Sequence, residues 1–191
     1  MNEEFNNDLS RCLEVLRKGG VIIYPTDTVW GIGCDATNSE AVRRVYELKH
    51  RVDSKALITL VDSVAALERV VDEVPEVAYQ LIDVAVDPMT IVYDKGVGVA
   101  PELLAEDGSI GVRITTEQFS KELCKRFHRP IVSTSVNISG EPSPRSFGEI
   151  NPALLEAVDY VCEAGRDKPW ASKPSTVIKL SSGGLIKILR K

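Results

Sequence analysis

Val21-Ile22-Ile23-Tyr24 is a β-branched, apolar run bounded by Gly19-Gly20 on one side and Pro25 on the other. A run of that kind reads as a buried strand, and Pro25 must end it, having no N–H for the ladder and forcing Tyr24 into extended geometry. The polar turn Thr26-Asp27-Thr28 therefore sits at a strand end, and Gly31 and Gly33 beyond it allow close backbone approach in a second short strand to Cys34. Short hydrogen-bonding side chains at a strand end suit a polar ligand, although many such turns are plain surface connections.

The rest of the chain alternates the same two signals. Leu9, Cys12, Leu13 and Leu16 make a helical stripe ending at Gly19-Gly20. Thr37 with Glu40 reads as a capping box for a helix carrying Val42, Val45, Tyr46 and Leu48, which closes in Lys49-His50-Arg51. Basic residues there complement the helix dipole, and Lys49 at such an end is expected to be removable at little cost in stability. Strands are expected at Ala56–Val61, Met89–Tyr93, Ser109–Ile114, Ile131–Ser135, Tyr160–Cys162, Thr176–Leu180 and Leu185–Arg190. Between them fall helices at Ser63–Val71, after Pro75, at Thr116–His128 and after Asn151-Pro152, and a loop with one helical turn before Ser109. Helices interleaved with strands, plus a terminal hairpin, predict a mixed α/β fold, a twisted sheet of about seven strands flanked by helices. No repeat or linker interrupts the 191 residues, so a single domain over 1–191 is expected.

Composition narrows the chemistry. A net charge of −5 with no basic run argues against gripping nucleic acid through the whole surface. The start, MNEEFNNDLSRC, lacks the basic and apolar regions of a secretory signal, and no apolar run spans a membrane, so a cytoplasmic location is expected. Cys12, Cys34, Cys124 and Cys162 are scattered and only His50 and His128 offer imidazoles, which argues against a structural zinc site or a disulfide framework. Several strand ends instead carry hydroxyls and cations: Thr26 and Thr28, Arg113, Ser133 to Asn137, Ser175 and Arg190, with Lys49 and Arg51 ahead of another strand. An Arg inside an apolar strand needs an anionic partner or a place at the open end of the sheet. The set suits holding phosphates and a carboxylate better than acyl or glycosidic hydrolysis, and Ser135 has neither a nearby His nor a GxSxG context to make it a nucleophile.

YPTDTVWGIGCD, ELKHRVDSKALITL, GVRIT, VSTSVNISG and KPSTVI, in that order and spacing, resemble the YrdC/TsaC family of L-threonylcarbamoyladenylate synthases, in its short form without an added C-terminal domain. The pairing of Lys49-x-Arg51 with Ser135-x-Asn137 carries most of the likeness. The resemblance implies a YrdC-like three-layer fold and an enzyme, a nucleotidyltransferase that joins L-threonine, bicarbonate and ATP into threonylcarbamoyl-AMP and pyrophosphate, with Mg²⁺ assisting. The product then serves tRNA threonylcarbamoyladenosine modification, so tRNA and tRNA-modification proteins are the expected partners downstream. It assigns Lys49, Arg51, Ser135, Asn137, Arg145 and Arg190 to ATP and its phosphates, and Thr26, Thr28, Arg113 and Ser175 to threonine. It implies no covalent protein catalyst, Lys49 and Arg51 stabilising charge, and it assigns no metal ligand from the protein. GEPSPRS and GRDKPWASKP are candidate lids over a water-labile carbamate. Asp87-Pro88-Met89 departs from the family's usual Pro-Gly-Pro, and Val52 and Ala56 stand where proline is common. The competing readings are an RNA-binding, translation-associated module and a non-synthase paralogue. The acidic charge and the lack of aromatics among basic residues weigh against RNA binding, and the retained Lys-x-Arg and Ser-x-Asn pairs weigh against the paralogue.

Overall fold

A computed structural model describes residues 3–50, 57–167 and 174–191. Among these residues nine strands form one sheet: β1 (Ile22–Tyr24), β2 (Gly31–Gly33), β3 (Ile58–Val61), β4 (Met89–Tyr93), β5 (Ile110–Ile114), β6 (Ile131–Ser135), β7 (Tyr160–Val161), β8 (Thr176–Leu180) and β9 (Ile186–Arg190). Their spatial order is β7-β1-β2-β6-β3-β5-β4-β8-β9. The mixed α/β architecture is as expected, and the sheet is wider than about seven strands because the outermost segments, β7 and β9, join the same ladder. β1 with β7, β3 with β5 and β4 with β8 run parallel, and the other neighbours are antiparallel.

The helices are α1 (Glu3–Arg17), α2 (Ser39–Leu48), α3 (Val64–Leu67), α4 (Glu76–Val84), α5 (Gln118–Phe127) and α6 (Pro152–Ala157). α1 buries Leu9, Cys12, Leu13 and Leu16 as the stripe predicts, and it starts early, with Glu3 and Glu4 at the positive end of the helix dipole. The cap of α2 differs from the expected Thr37. Asn38 is the N-cap, its side chain accepting from the Glu40 and Ala41 amides, because Asp35, itself held by Arg129 at 2.9 Å, takes the Thr37 hydroxyl at 2.7 Å.

Strand alternation sorts the right half of the sheet. Ile91, Tyr93, Ile110, Val112, Ile178 and Leu180 face one way and pack with Leu67, Val70, Val71 and Ala78, in and around α3 and α4. Intervening residues of the same strands face the other way. On the left, α1, α2 and α5 close a larger core with β1, β2 and β6. Gly33 permits that closure: a Cβ there would lie 1.8 Å from the Val132 carbonyl oxygen, so what its backbone approaches is the neighbouring strand rather than a ligand. No helix among the described residues is long and apolar enough to cross a membrane.

Candidate functional site

The strand register lays a row of small, hydroxyl-bearing and cationic residues across the open face. Gly31 of β2 pairs with Ser135 of β6, and Ser133, two residues back on the same face, pairs with Ile58 of β3. Ile58 in turn pairs with Gly111 of β5, whose same-face neighbour is Arg113, and Gly111 pairs with Val92 of β4, whose same-face neighbour is Thr90. Thr90 pairs with Val177 of β8, and Val177 with Arg190 of β9. A period of two residues thus brings together side chains from opposite ends of the chain. They line a cavity of about 330 Å³, to which the β1–β2 turn adds Thr26 and Thr28, and the later loops add Ser143, Pro174 and Ser175.

At its inner wall, Thr26 donates to the Val29 carbonyl at 2.6 Å and accepts the Thr28 amide at 3.2 Å, so its hydroxyl is committed to the turn. The Thr28 hydroxyl lies 3.2 Å from it and faces the cavity with fewer commitments. The same turn supplies a residue that sequence reasoning did not assign: Asp27 Oδ1 is 3.0 Å from Arg113 Nη2, with both side chains about 95% buried (4% and 5% exposed). This is the anionic partner that an Arg in an apolar strand requires. Neither Asp27 oxygen nor Arg113 Nε has a well-aligned hydrogen bond, so the pair holds by charge and leaves guanidinium donors for a ligand.

At the opposite wall, Arg190 donates from Nε and Nη2 to the Ser175 carbonyl at 3.1 and 2.9 Å, and from Nη2 to the Ser175 hydroxyl at 3.2 Å. Ser175 Oγ is 2.8 Å from Thr90 Oγ1, tying β8's entry to β4. Partial burial and then the Arg113 charge push the Arg190 guanidinium down from its ordinary value, which places two cations on one cavity.

Lys49 and Asn137 are arranged otherwise than expected. Lys49 is 1% exposed, not at the surface; its ammonium donates to the Ser135 carbonyl and to the Asn137 carbonyl at 2.6 Å, while its own carbonyl accepts the Ser139 amide at 2.9 Å. The loop after β6 folds over the helix end and buries the ammonium beneath it. Asn137 donates from Nδ2 to the Ile138 and Glu141 carbonyls at 3.0 and 2.7 Å and is not among the cavity-lining residues. Ser135 lines the cavity. Arg145 is exposed, off the cavity, its amide donating to Glu149 at 2.7 Å. Arg51, Val52 and Ala56 lie outside the described residues.

The sequence profile of the Sua5/YciO/YrdC family, described as "Telomere recombination", matches residues 14–191. The chain belongs to this family. It is 34% identical over 183 residues to the threonylcarbamoyl-AMP synthase of Stenotrophomonas maltophilia, covering 94% of this chain and 97% of that one. Among solved structures, Escherichia coli YciO superposes with a TM-score of 0.85 at 26% identity, over 100% of this chain and 91% of that one. Sua5 of P. abyssi, solved in complex with L-threonine, superposes with a TM-score of 0.84 at 29% identity, over 94% of this chain, which spans 52% of that Sua5 chain. The match to Sua5 covers about half of a longer protein, whereas YciO is of similar length.

Proposed function

We propose that the chain is a threonylcarbamoyl-AMP synthase, acting on L-threonine, bicarbonate and ATP. The observation that carries this reading is the single cavity flanked by Arg113 and Arg190, with hydroxyls between them and no carboxylate or imidazole among its described lining residues. The threonine nitrogen attacks bicarbonate, water leaves, and the resulting carbamate oxygen attacks the α-phosphorus; the bond to the β-phosphate oxygen breaks and pyrophosphate departs. No protein nucleophile enters that sequence, and alignment with charge neutralisation supplies the acceleration.

Arg113, set by Asp27, meets the threonine carboxylate, and Thr28 shapes the pocket for its side chain. Relatives at 34% identity bearing the synthase name, and a solved relative in complex with L-threonine, support threonine as the substrate. Arg190 and Ser135 meet the polyphosphate. Lys49 acts through the loop it braces, fixing Ser135 and Asn137. The described lining side chains include no carboxylate, which suits Mg²⁺ arriving on the ATP phosphates as part of the substrate. Ser143 of GEPSPRS and Pro174 at the end of GRDKPWASKP line the cavity, residues 168–173 of the latter lying outside the described residues. The unstable product passes to proteins that modify tRNA.

Purified protein incubated with ATP, Mg²⁺, bicarbonate and L-threonine should release pyrophosphate and accumulate threonylcarbamoyl-AMP. Release that persists without threonine overturns the reading.

A further inference from the structure

Away from the cavity, Cys12 of α1 and Cys162, just after β7, place their Sγ atoms 3.1 Å apart, both fully buried. Asp8, one turn before Cys12, fixes the approach of the two segments: it accepts from Tyr160 Oη at 2.6 Å and from the Glu163 and Ala164 amides at 3.0 and 2.7 Å. On the other side, the Cys162 amide donates to the Ile23 carbonyl at 2.9 Å, so the backbone that carries this thiol is pinned to both α1 and β1.

Two chemistries could use such a cluster. A metal would take both thiolates and Asp8, but a tetrahedral zinc with sulfurs at ~2.3 Å holds them ~3.8 Å apart. These sulfurs are closer than that, and both Asp8 oxygens already accept hydrogen bonds. A disulfide needs the sulfurs to close by only about 1 Å, to a bond of ~2.05 Å, which side-chain rotation supplies. We propose that Cys12 and Cys162 are an oxidisable pair that forms an intramolecular disulfide tying α1 to the segment after β7. The S–S bond forms as two S–H bonds break; two electrons and two protons pass to an oxidant such as a low-molecular-weight disulfide, which leaves as two thiols. Burial, then the Cys12 thiol beside it, pushes the Cys162 thiol up, so the reduced pair reacts only through local opening and the closed bridge resists reduction. The bridge closes a loop spanning 150 positions, so it restricts the unfolded chain strongly.

The full chain, held with glutathione disulfide in sub-denaturing urea and then returned to buffer, should lose the mass of two hydrogens and yield a Cys12–Cys162 cross-linked peptide. Its Tm should rise by on the order of 10 °C over the reduced protein. Cys34→Ser should still cross-link, whereas Cys12→Ser should fold without forming the bridge. Overturning results are absence of the cross-link under those conditions, a cross-link that uses Cys34 or Cys124 instead, or tight one-to-one binding of zinc that protects both thiols from oxidation.

Discussion

Replacing Lys49 by methionine keeps the length of the side chain and deletes an ammonium that the fold has enclosed, 1% exposed, under the loop after β6. The Ser135 carbonyl keeps one donor, the Asn137 amide at 2.9 Å, so its loss is about 1 kcal/mol. The half-buried Asn137 carbonyl gives up a charged donor at 2.6 Å, at about 1–3 kcal/mol. Together the change costs ~2–4 kcal/mol, which for a chain of this size lowers Tm by about 5–15 °C. Thermal unfolding followed by circular dichroism reads that shift, and pyrophosphate release at a temperature where the variant stays folded reads the functional part. Activity should fall at least about tenfold, because Ser135 and Asn137 lose the brace that sets them. A Tm within ~1 °C of wild type together with lost activity would refute the reasoning, leaving Lys49 as a direct phosphate ligand rather than a loop brace.

Gly33→Ala would push a Cβ to 1.8 Å from the Val132 carbonyl oxygen; the expected outcome is a loss above ~3 kcal/mol or insoluble protein, and a normal Tm contradicts the close approach. Thr28→Val should raise the KM for threonine about tenfold while that for ATP moves less than about twofold, and equal losses would contradict the division of the cavity. Asp27→Asn removes the charge set against Arg113, so it should cost ~3 kcal/mol and raise the threonine KM more than the ATP KM; unchanged kinetics would remove Asp27 from the site. At Asp159, burial pushes the carboxyl up, but the Val21 amide at 2.7 Å and Arg44 outweigh it and hold the group below its ordinary value. A depressed carboxyl stabilises above its unfolded value near ~3.9, and the gain disappears as pH falls through the folded value. The Tm gap between wild type and Asp159→Asn should therefore narrow below about pH 4, and a constant gap refutes the assignment.

Local signals account for the strands and fail where the deciding partner is distant. Each expected strand segment pairs in the sheet, because short β-branched runs between Gly and Pro leave few alternatives. Thr37 and Asn38 are equally good caps on local grounds; Asp35, held by Arg129 from beyond α5, decides between them. Lys49 reads as a surface residue since lysines at helix ends usually are, and only the loop from β6 returning over it makes it interior. Arg113 announced a need for an anion, and Asp27 stood in plain view between two threonines. Joining them required the placement of the β1–β2 turn beside β5, which no periodicity encodes. Arg145 matched a loop position by resemblance, but that stretch turns outward and engages Glu149.

The two guanidinium groups also set an order of depth in the cavity. Sharing one space, they repel, and an anion bound between them offsets that repulsion. Asp27 cancels most of that charge at Arg113 and fixes it in a rigid, buried position, which suits a single small carboxylate presented in one geometry. Among the described residues Arg190 donates to the Ser175 carbonyl and hydroxyl, neutral acceptors that orient the fork without reducing its charge. It stands on the edge strand at the outer wall, the side from which a longer and more highly charged polyphosphate would enter. On the proposed reading the amino acid therefore occupies the inner end and the nucleotide closes over it, leaving the amine and the α-phosphorus to meet over the Ser133–Ser135 row between the two arginines. Pyrophosphate is then released toward the open side, past Arg190.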